Sequence, residues 1–331
     1  MTTRQSAGLT VRSLAATLTL VASVSWAAAP LRAQGRVSTA GALELGKPVG
    51  AAASALGQAA VADFLGSESI WWNPGALARA TTREIAVHHS DFFAVTGDAL
   101  AVVLPSRIGT VAFSADLYDY GTQDNTDASG TLGSFGVRAT ILTATFAGRV
   151  GSRANVGVNY KHYSRGISCT GNCTDLPTWS QATTAIDLGG QVRVFRDSTL
   201  YVGFSLRNVG PKLQVRDSPQ ADPADGSMDV GLTWRPRIQS LGPDAELKLA
   251  TDVVKSVVDP GLGLRVGADI GWQHTLHASA GYVYGGSDEP GPTIGVGATT
   301  GRLRIDIARL MSTNSADANS PPTYLSLRVM F

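Results

Sequence analysis

The chain is 331 residues long, 44% apolar and only 16% charged, with 37 glycines and a formal net charge of +1. Soluble domains carry about a quarter charged residues, and nucleic-acid-binding domains show a strong basic excess, so this composition points to neither. It is also too apolar and too varied for wholesale disorder.

The first segment reads as an address. Arg4 and Arg12 form a positive start, an apolar run follows from Leu14 to Ala29, and Leu31-Arg32-Ala33 fits a cleavage site with Gln34 as the new N-terminus. Cleavage after Ala29 is the rival and would put Pro30 just past the cut. The apolar run is short for a membrane span of ~20 residues, so residues 1–33 are expected to be a signal peptide. A Leu-x-x-Cys lipobox is absent. No later segment holds ~18 consecutive apolar residues. An exported chain of this kind is either soluble or a β-barrel, because only helices and closed barrels satisfy every backbone group in lipid.

Residues 34–82 are expected to form a small N-terminal plug. Gly50 to Phe64 is rich in alanine and spaced like a helix, and Ser69-Ile70-Trp71-Trp72-Asn73-Pro74-Gly75-Ala76-Leu77-Ala78 follows it. A wide barrel needs such filling. Asn73-Pro74-Gly75 makes a turn, and as part of a plug it doubles as a gate candidate together with Trp71 and Trp72. Gly41 to Lys47 has the spacing of a phosphate loop, but Pro48 stands where Ser or Thr would bind magnesium, and no strand precedes it.

From residue 83 to residue 331 the chain alternates apolar with polar or small residues, the mark of strands with one apolar face. Leu262, Leu264, Val266, Ala268, Ile270 and Trp272 run against Gly263, Arg265, Gly267, Asp269, Gly271 and Gln273. About 14 such segments are read, at 83–92, 97–105, 108–119, 133–147, 154–167, 181–196, 199–208, 227–236, 244–255, 262–273, 275–284, 293–300, 302–310 and 323–331. The segment near Gly133 to Phe146 changes phase midway, which predicts a bulge or a shifted boundary. Very short connections (Ser106-Arg107, Asp197-Ser198, His274, Gly301) mostly alternate with long ones (120–132, 168–180, 209–226, 285–292, 311–322). That is the alternation of periplasmic turns and outer loops in a membrane barrel. The expected fold class is therefore all-β: a transmembrane antiparallel barrel with a helical hatch in its lumen, placed in a bacterial outer membrane.

Catalytic signatures are missing. There is no Gly-x-Ser-x-Gly elbow and no His-Glu-x-x-His, and the five histidines are scattered. No enzyme activity, cofactor, metal or nucleic-acid partner is expected. Cys169 and Cys173, the two cysteines, lie in a long predicted loop, where an oxidising compartment makes a disulfide the default. Arg207, Arg265, Asp269, Arg304, Asp306 and Arg328 fall on the lumen phase and are expected to pair with opposite charges. Tyr118, Tyr160, Trp234, Trp272, Tyr282 and Tyr284 are assigned to interface girdles. The chain ends on Phe331, preceded by alternating apolar residues, which resembles the signal read by the barrel assembly machinery of outer membranes.

Two segments carry a family resemblance. Gly50 to Gly57 and the Trp-Asn-Pro-Gly-Ala-Leu core of Ser67 to Ala78 resemble the hatch of the FadL (OMPP1/TodX) superfamily, with Gly75 in place of the usual alanine. Arg207-Asn208-Val209-Gly210-Pro211-Lys212-Leu213 resembles a segment of its PorV/PorQ branch, as does the late strand pair around Gly267 to Trp272 and Ala280 to Tyr282. The resemblance spans residues 45–331 and implies 14 strands around a luminal hatch. It further implies transport or protein export, with type IX secretion-like binding of exported cargo proteins as the leading reading and a FadL-like conduit for fatty acids or other hydrophobic small molecules as the alternative. A structural role in the outer membrane is a third, weaker alternative. The loop motif Asn208, Gly210, Pro211 and Lys212 has a loop-shaping turn as its plain reading.

Overall fold

A computed structural model describes residues 41–331, apart from 93–94, 128–129, 173–179, 196–198, 215–220, 237–241, 243, 258–260, 286–289 and 312–320. The expected signal peptide, residues 1–33, lies outside the described residues, as do Cys173 and the Asp197-Ser198 turn.

Alternation of apolar and polar residues becomes strand along nearly the whole chain. The described strands are β1 (Glu84–Phe92), β2 (Val95–Pro105), β3 (Thr110–Asp127), β4 (Gly130–Val150), β5 (Ala154–Gly171), β6 (Ser180–Arg193), β7 (Leu200–Val209), β8 (Leu213–Gln214), β9 (Ala221–Asp222), β10 (Ser227–Trp234), β11 (Ala245–Ser256), β12 (Leu262–Trp272), β13 (Leu276–Tyr284), β14 (Gly291–Thr300), β15 (Leu303–Leu310) and β16 (Thr323–Met330). Fourteen of them close into one antiparallel barrel; the short pair β8 and β9 stands apart. The seam joins β1 to β16, with Glu84 opposite Met330 and Asp91 opposite Thr323. Phe331 extends the seam by exchanging backbone hydrogen bonds with Arg83 at 2.9 and 3.2 Å.

The burial pattern is that of a protein in lipid. Outward residues such as Val87, Leu100, Phe113, Leu142, Phe204 and Ile307 are large, apolar and exposed. Inward residues such as Asp116, Asn159, Asp187, Asp229 and Arg328 are polar and buried. A soluble domain has the opposite arrangement, whereas a transmembrane barrel wraps a polar lumen in an apolar band. Tyr160, Trp272 and Tyr282 face outward, as girdle residues do. Tyr118 is a correction: it points inward, buried among Phe92, Ile141, Tyr163 and Tyr324. Its residue number puts it in the same phase as Ser114 and Asp116, which face the lumen.

Two further differences from the sequence reading have local causes. Residues 120–132, expected to be a loop, are mostly strand, because β3 and β4 continue past the barrel to Asp127 and Gly130. Both faces of this extension meet solvent, so no alternation betrays it. The bulge expected in β4 lies in its partner: β3 shifts register between Asp119 and Thr122, while β4 pairs evenly with β5. The alanine-rich stretch yields only a five-residue helix, Ala51–Ala55. Gly57 and Gln58 take positive φ values of 63° and 62° and turn the chain out of it.

The hatch crosses the lumen from one rim to the other. Gly41 pairs with Ala224 in the long connection between β7 and β10, and Arg83 leaves at the opposite rim beside Phe331. Inside, residues 49–78 pack on the small inward residues Ala86, Ala99, Ala101, Ala112 and Ala147.

Candidate functional site

The candidate site is the hatch and the wall that holds it, and its geometry begins with glycine. The hatch backbone lies directly on inward-facing glycines of the wall, where any side chain would intrude. A Cβ on Gly281 would come within 2.2 Å of the Gly57 nitrogen, one on Gly203 within 2.3 Å of the Val61 oxygen, and one on Gly157 within 2.5 Å of Pro74. This close approach accounts for part of the glycine excess in the sequence.

Asn73 is the centre of the Trp-Asn-Pro-Gly turn and is fully buried. Its Nδ2 donates to the Val61 carbonyl at 2.7 Å and to the Gly190 carbonyl of β6 at 3.0 Å, and its Oδ1 caps the following turn by accepting the Gly75 N–H at 3.0 Å. Pro74 occupies the first position of that turn (Pro74–Arg79), where its missing N–H is not needed. Gly75 faces Gly189, whose carbonyl oxygen would lie 2.7 Å from a Cβ at position 75. Trp71 donates from Nε1 to Asp116 at 2.9 Å and meets the His88 ring edge-on at 5.2 Å. Trp72 donates to the Val49 carbonyl at 2.9 Å, and the guanidinium groups of Arg207 and Arg265 lie 5.4 and 5.6 Å from its ring. All five gate candidates thus gather in one buried turn against the wall.

The loop motif divides. Asn208, with φ 57°, sits in a bulge of β7 opposite Asp187 and is buried. It accepts from Lys161 Nζ at 2.8 Å, and its backbone N–H donates to Asp187 at 2.7 Å. Its Nδ2 donates to the hatch at the Leu45 carbonyl, 3.0 Å away, and to the Asp225 carbonyl at 2.8 Å. Gly210, Pro211 and Lys212 are exposed beyond the strand end. Asparagine suits the left-handed backbone that the bulge requires. Cys169 lies in β5 and is disulfide-bonded.

Three charged clusters fix the hatch, and position along the chain hid their hatch members. Near the short-turn rim, Asp63 meets Arg235 and Lys248 (3.1 Å to Nζ). From Lys248 the contacts run through Asp269 (3.7 Å) and His277 (3.2 Å) to Asp306 (3.0 Å), which also binds Arg304 and Arg328. Arg328 returns to the hatch by donating to the Leu65 carbonyl at 2.7 Å. Burial alone would raise the Asp63 carboxyl; Lys248, Arg235 and Arg79 outweigh it and hold the group well below the usual carboxylate range. Deeper in the lumen Glu68 accepts the N–H groups of Ala53 (2.8 Å) and Ala52 (3.2 Å) and the Ser326 hydroxyl (3.2 Å). Burial raises its carboxyl, against the pull of Arg328. At the long-loop end Glu44 accepts the hydroxyls of Tyr120 (2.7 Å) and Tyr163 (2.8 Å). Around the outer part of the hatch, packed with its Ala42, Leu45, Ala51 and Ala55, there lies a buried aromatic and aliphatic layer of Phe92, Tyr118, Tyr163, Leu213, Leu310 and Tyr324.

The fold is met in known structures. The toluene transporter TodX of P. putida superposes with a TM-score of 0.55 at 11% identity, over 85% of this chain and 98% of that one. The CymD monoaromatic hydrocarbon channel gives 0.57 at 10% identity, over 86% and 97%. The chain shares the fold of these channels. Such low identity shows fold and nothing finer. No protein-family model matches the chain, and no curated protein matches it in sequence. These neighbours leave the PorV/PorQ reading unconfirmed; what they show is the barrel fold.

Proposed function

We propose that this protein is an outer-membrane conduit for hydrophobic small molecules, held closed by its own hatch. One juxtaposition carries the reading. A buried aromatic and aliphatic layer at the outer end of the lumen rests on a hatch tied to the wall by hydrogen bonds and ion pairs. An apolar solute partitions into such a layer, and polar ties exchange for water when the hatch moves. The fold shared with a toluene transporter and a monoaromatic hydrocarbon channel adds weight. In this reading residues 1–33 are the export signal, 34–82 the hatch and 83–331 the barrel, assembled by the barrel machinery through its Phe331 end. Outer-membrane lipid surrounds the apolar band. The role is transport without catalysis.

A second reading keeps exported cargo proteins as partners. It rests on β3, β4 and β5, which are 18, 21 and 18 residues long and rise beyond the barrel as a solvent-exposed sheet. Native mass spectrometry of the protein extracted gently from its own membrane separates the two. A retained hydrophobic small molecule supports the conduit; a retained exported protein supports the second reading and overturns the first.

A further inference from the structure

The short-turn end of the lumen gathers more positive charge than it neutralises. Arg79 comes from the last position of the hatch turn Pro74–Arg79, Arg149 from the end of β4, Arg193 from the end of β6, Arg235 from just past β10 and Lys248 from β11. Asp63 is the buried carboxylate they share: it pairs with Arg235 and with Lys248 (3.1 Å to Nζ), and Arg79 feels its charge. Glu246, exposed on β11, faces His274 at 3.5 Å and adds only a small pull on Arg235. Arg79, Arg149 and Arg193 have no ion pair among the described residues and are held by neutral groups. Arg79 lies 4.2 Å from the centre of the Tyr201 ring and donates to Gln191 at 3.4 Å. Arg149 donates to the Ala78 carbonyl at 3.1 Å, and Arg193 to the Ser152 carbonyl at 3.3 Å. The charges of Arg193 and Arg235 also repel that of Arg79. An anion between these guanidinium groups relieves the repulsion, and arginine pairs with carboxylates through two parallel bonds.

Place and spread choose the anion. Arg149 continues the inward phase of the buried Thr143, Thr145 and Ala147, and Arg193 that of Asp187 and Gln191. Side chains in this phase face the mouth of the lumen, whereas a phospholipid head group in the surrounding leaflet meets the other phase. Arg149 is exposed and Arg193 half-buried, so the mouth is open to solvent. From β4 the barrel order runs through β5, β6 and β7 to β10. Those four spacings of ~4.8 Å make an arc of roughly 19 Å. A lone phosphate meets one or two of the cations along it. An extended peptide rises ~3.3 Å per residue and covers the arc with about six residues.

We infer that Arg79, Arg149, Arg193 and Arg235 form a docking site for an acidic peptide segment of a periplasmic protein at the short-turn mouth of the barrel. The site lies at the end of the lumen opposite the aromatic layer and goes beyond the conduit reading, from which it takes only the orientation that puts the short turns in the periplasm.

The test titrates fluorescein-labelled hexaglutamate, with labelled hexaglutamine as the neutral control, against the full protein purified in a non-ionic detergent, read by fluorescence anisotropy. Saturable binding of hexaglutamate alone is expected, weakening as salt is raised. Arg149→Gln combined with Arg193→Gln removes two charges that take no part in holding Asp63, and it is expected to weaken hexaglutamate about tenfold. Either change alone is expected to weaken it about threefold and serves if the double variant fails to fold. Arg302→Gln, at the exposed turn between β14 and β15, is expected to leave the affinity unchanged. Unchanged affinity in the double variant overturns the site, and so does an equal loss in Arg302→Gln, which makes the effect one of net charge. Displacement of the peptide by equimolar inorganic phosphate means a single-anion site, and displacement by phosphatidylglycerol added to the micelles means a lipid site; each overturns peptide docking. Toluene uptake is a separate readout, so the conduit reading stands or falls independently of these outcomes.

Discussion

Asn73 and Gly190 join the hatch to the barrel: the Asn73 amide donates to the Gly190 carbonyl at 3.0 Å while holding Val61 within the hatch at 2.7 Å. Replacing Asn73 with alanine removes its donor from the Gly190 carbonyl, leaves the Val61 carbonyl to Gln191 Nε2 at 3.1 Å, and removes the cap on Gly75. The cost is about 1–3 kcal/mol, charged to the hatch and not to the strands. Hydrogen exchange should show residues 61–78 losing protection while the strand amides keep theirs.

Gly75 departs from the alanine usual in the hatch motif it resembles, and the wall explains the departure. A Cβ there would lie 2.7 Å from the Gly189 oxygen, a backbone atom that cannot swing away. Gly75→Ala is expected to destabilise the hatch by about 1–3 kcal/mol, the usual cost of overpacking. Limited proteolysis of the folded barrel should then cut within residues 61–80.

Much of this arrangement was legible in the sequence. All fourteen barrel strands fell within reach of their observed bounds, because each buries one face and exposes the other. The extension of β3 to Asp127 was not legible, since a strand wet on both faces needs no alternation. The turn read at Asn73-Pro74-Gly75 lies between the helix Ser69–Trp72, which holds Trp71 and Trp72, and the helical turn Pro74–Arg79, which Asn73 caps. The roles of Glu44, Asp63 and Glu68 were missed. Each pairs with residues distant in the chain, such as Tyr163, Lys248 and Ser326, and no local spacing announces such contacts. Asn208 belonged to a noted motif, but its place in a bulge facing the hatch required the pairing of β6 with β7.

Trp71 protects a buried acid. Its Nε1 donates to Asp116 Oδ2 at 2.9 Å, and Asp116 Oδ1 has no hydrogen bond among the described residues. Trp71→Phe keeps an aromatic side chain but removes the donor and part of the buried ring volume, so it is expected to cost at least the ~1–3 kcal/mol of an unsatisfied buried acceptor. Trp71→Phe combined with Asp116→Leu is expected to recover part of that loss, because removing both partners leaves nothing unsatisfied. Urea denaturation followed by tryptophan fluorescence checks both.

The Asp63 cluster makes the hatch sensitive to acid. Asp63 is held below its ordinary value by Lys248, Arg235 and Arg79. Its contribution is therefore complete above the usual carboxylate range, about pH 4, and is lost as pH falls below it. Glu68, raised by burial, acts oppositely: its contribution is complete below the usual range and declines as pH rises through its raised value. Asp63→Asn is expected to weaken hatch protection at pH 7 and to flatten its decline on acidification below about pH 4. Hydrogen exchange of residues 61–65 across that window reads both effects.

The central claim is that the hatch closes a path for hydrophobic molecules. It is tested most directly by measuring uptake of labelled toluene and dodecanol into outer-membrane vesicles that contain wild-type protein, Asn73→Ala protein or none. The account predicts saturable uptake that depends on the protein and is faster with Asn73→Ala than with the wild type. Uptake equal in all three preparations would contradict it.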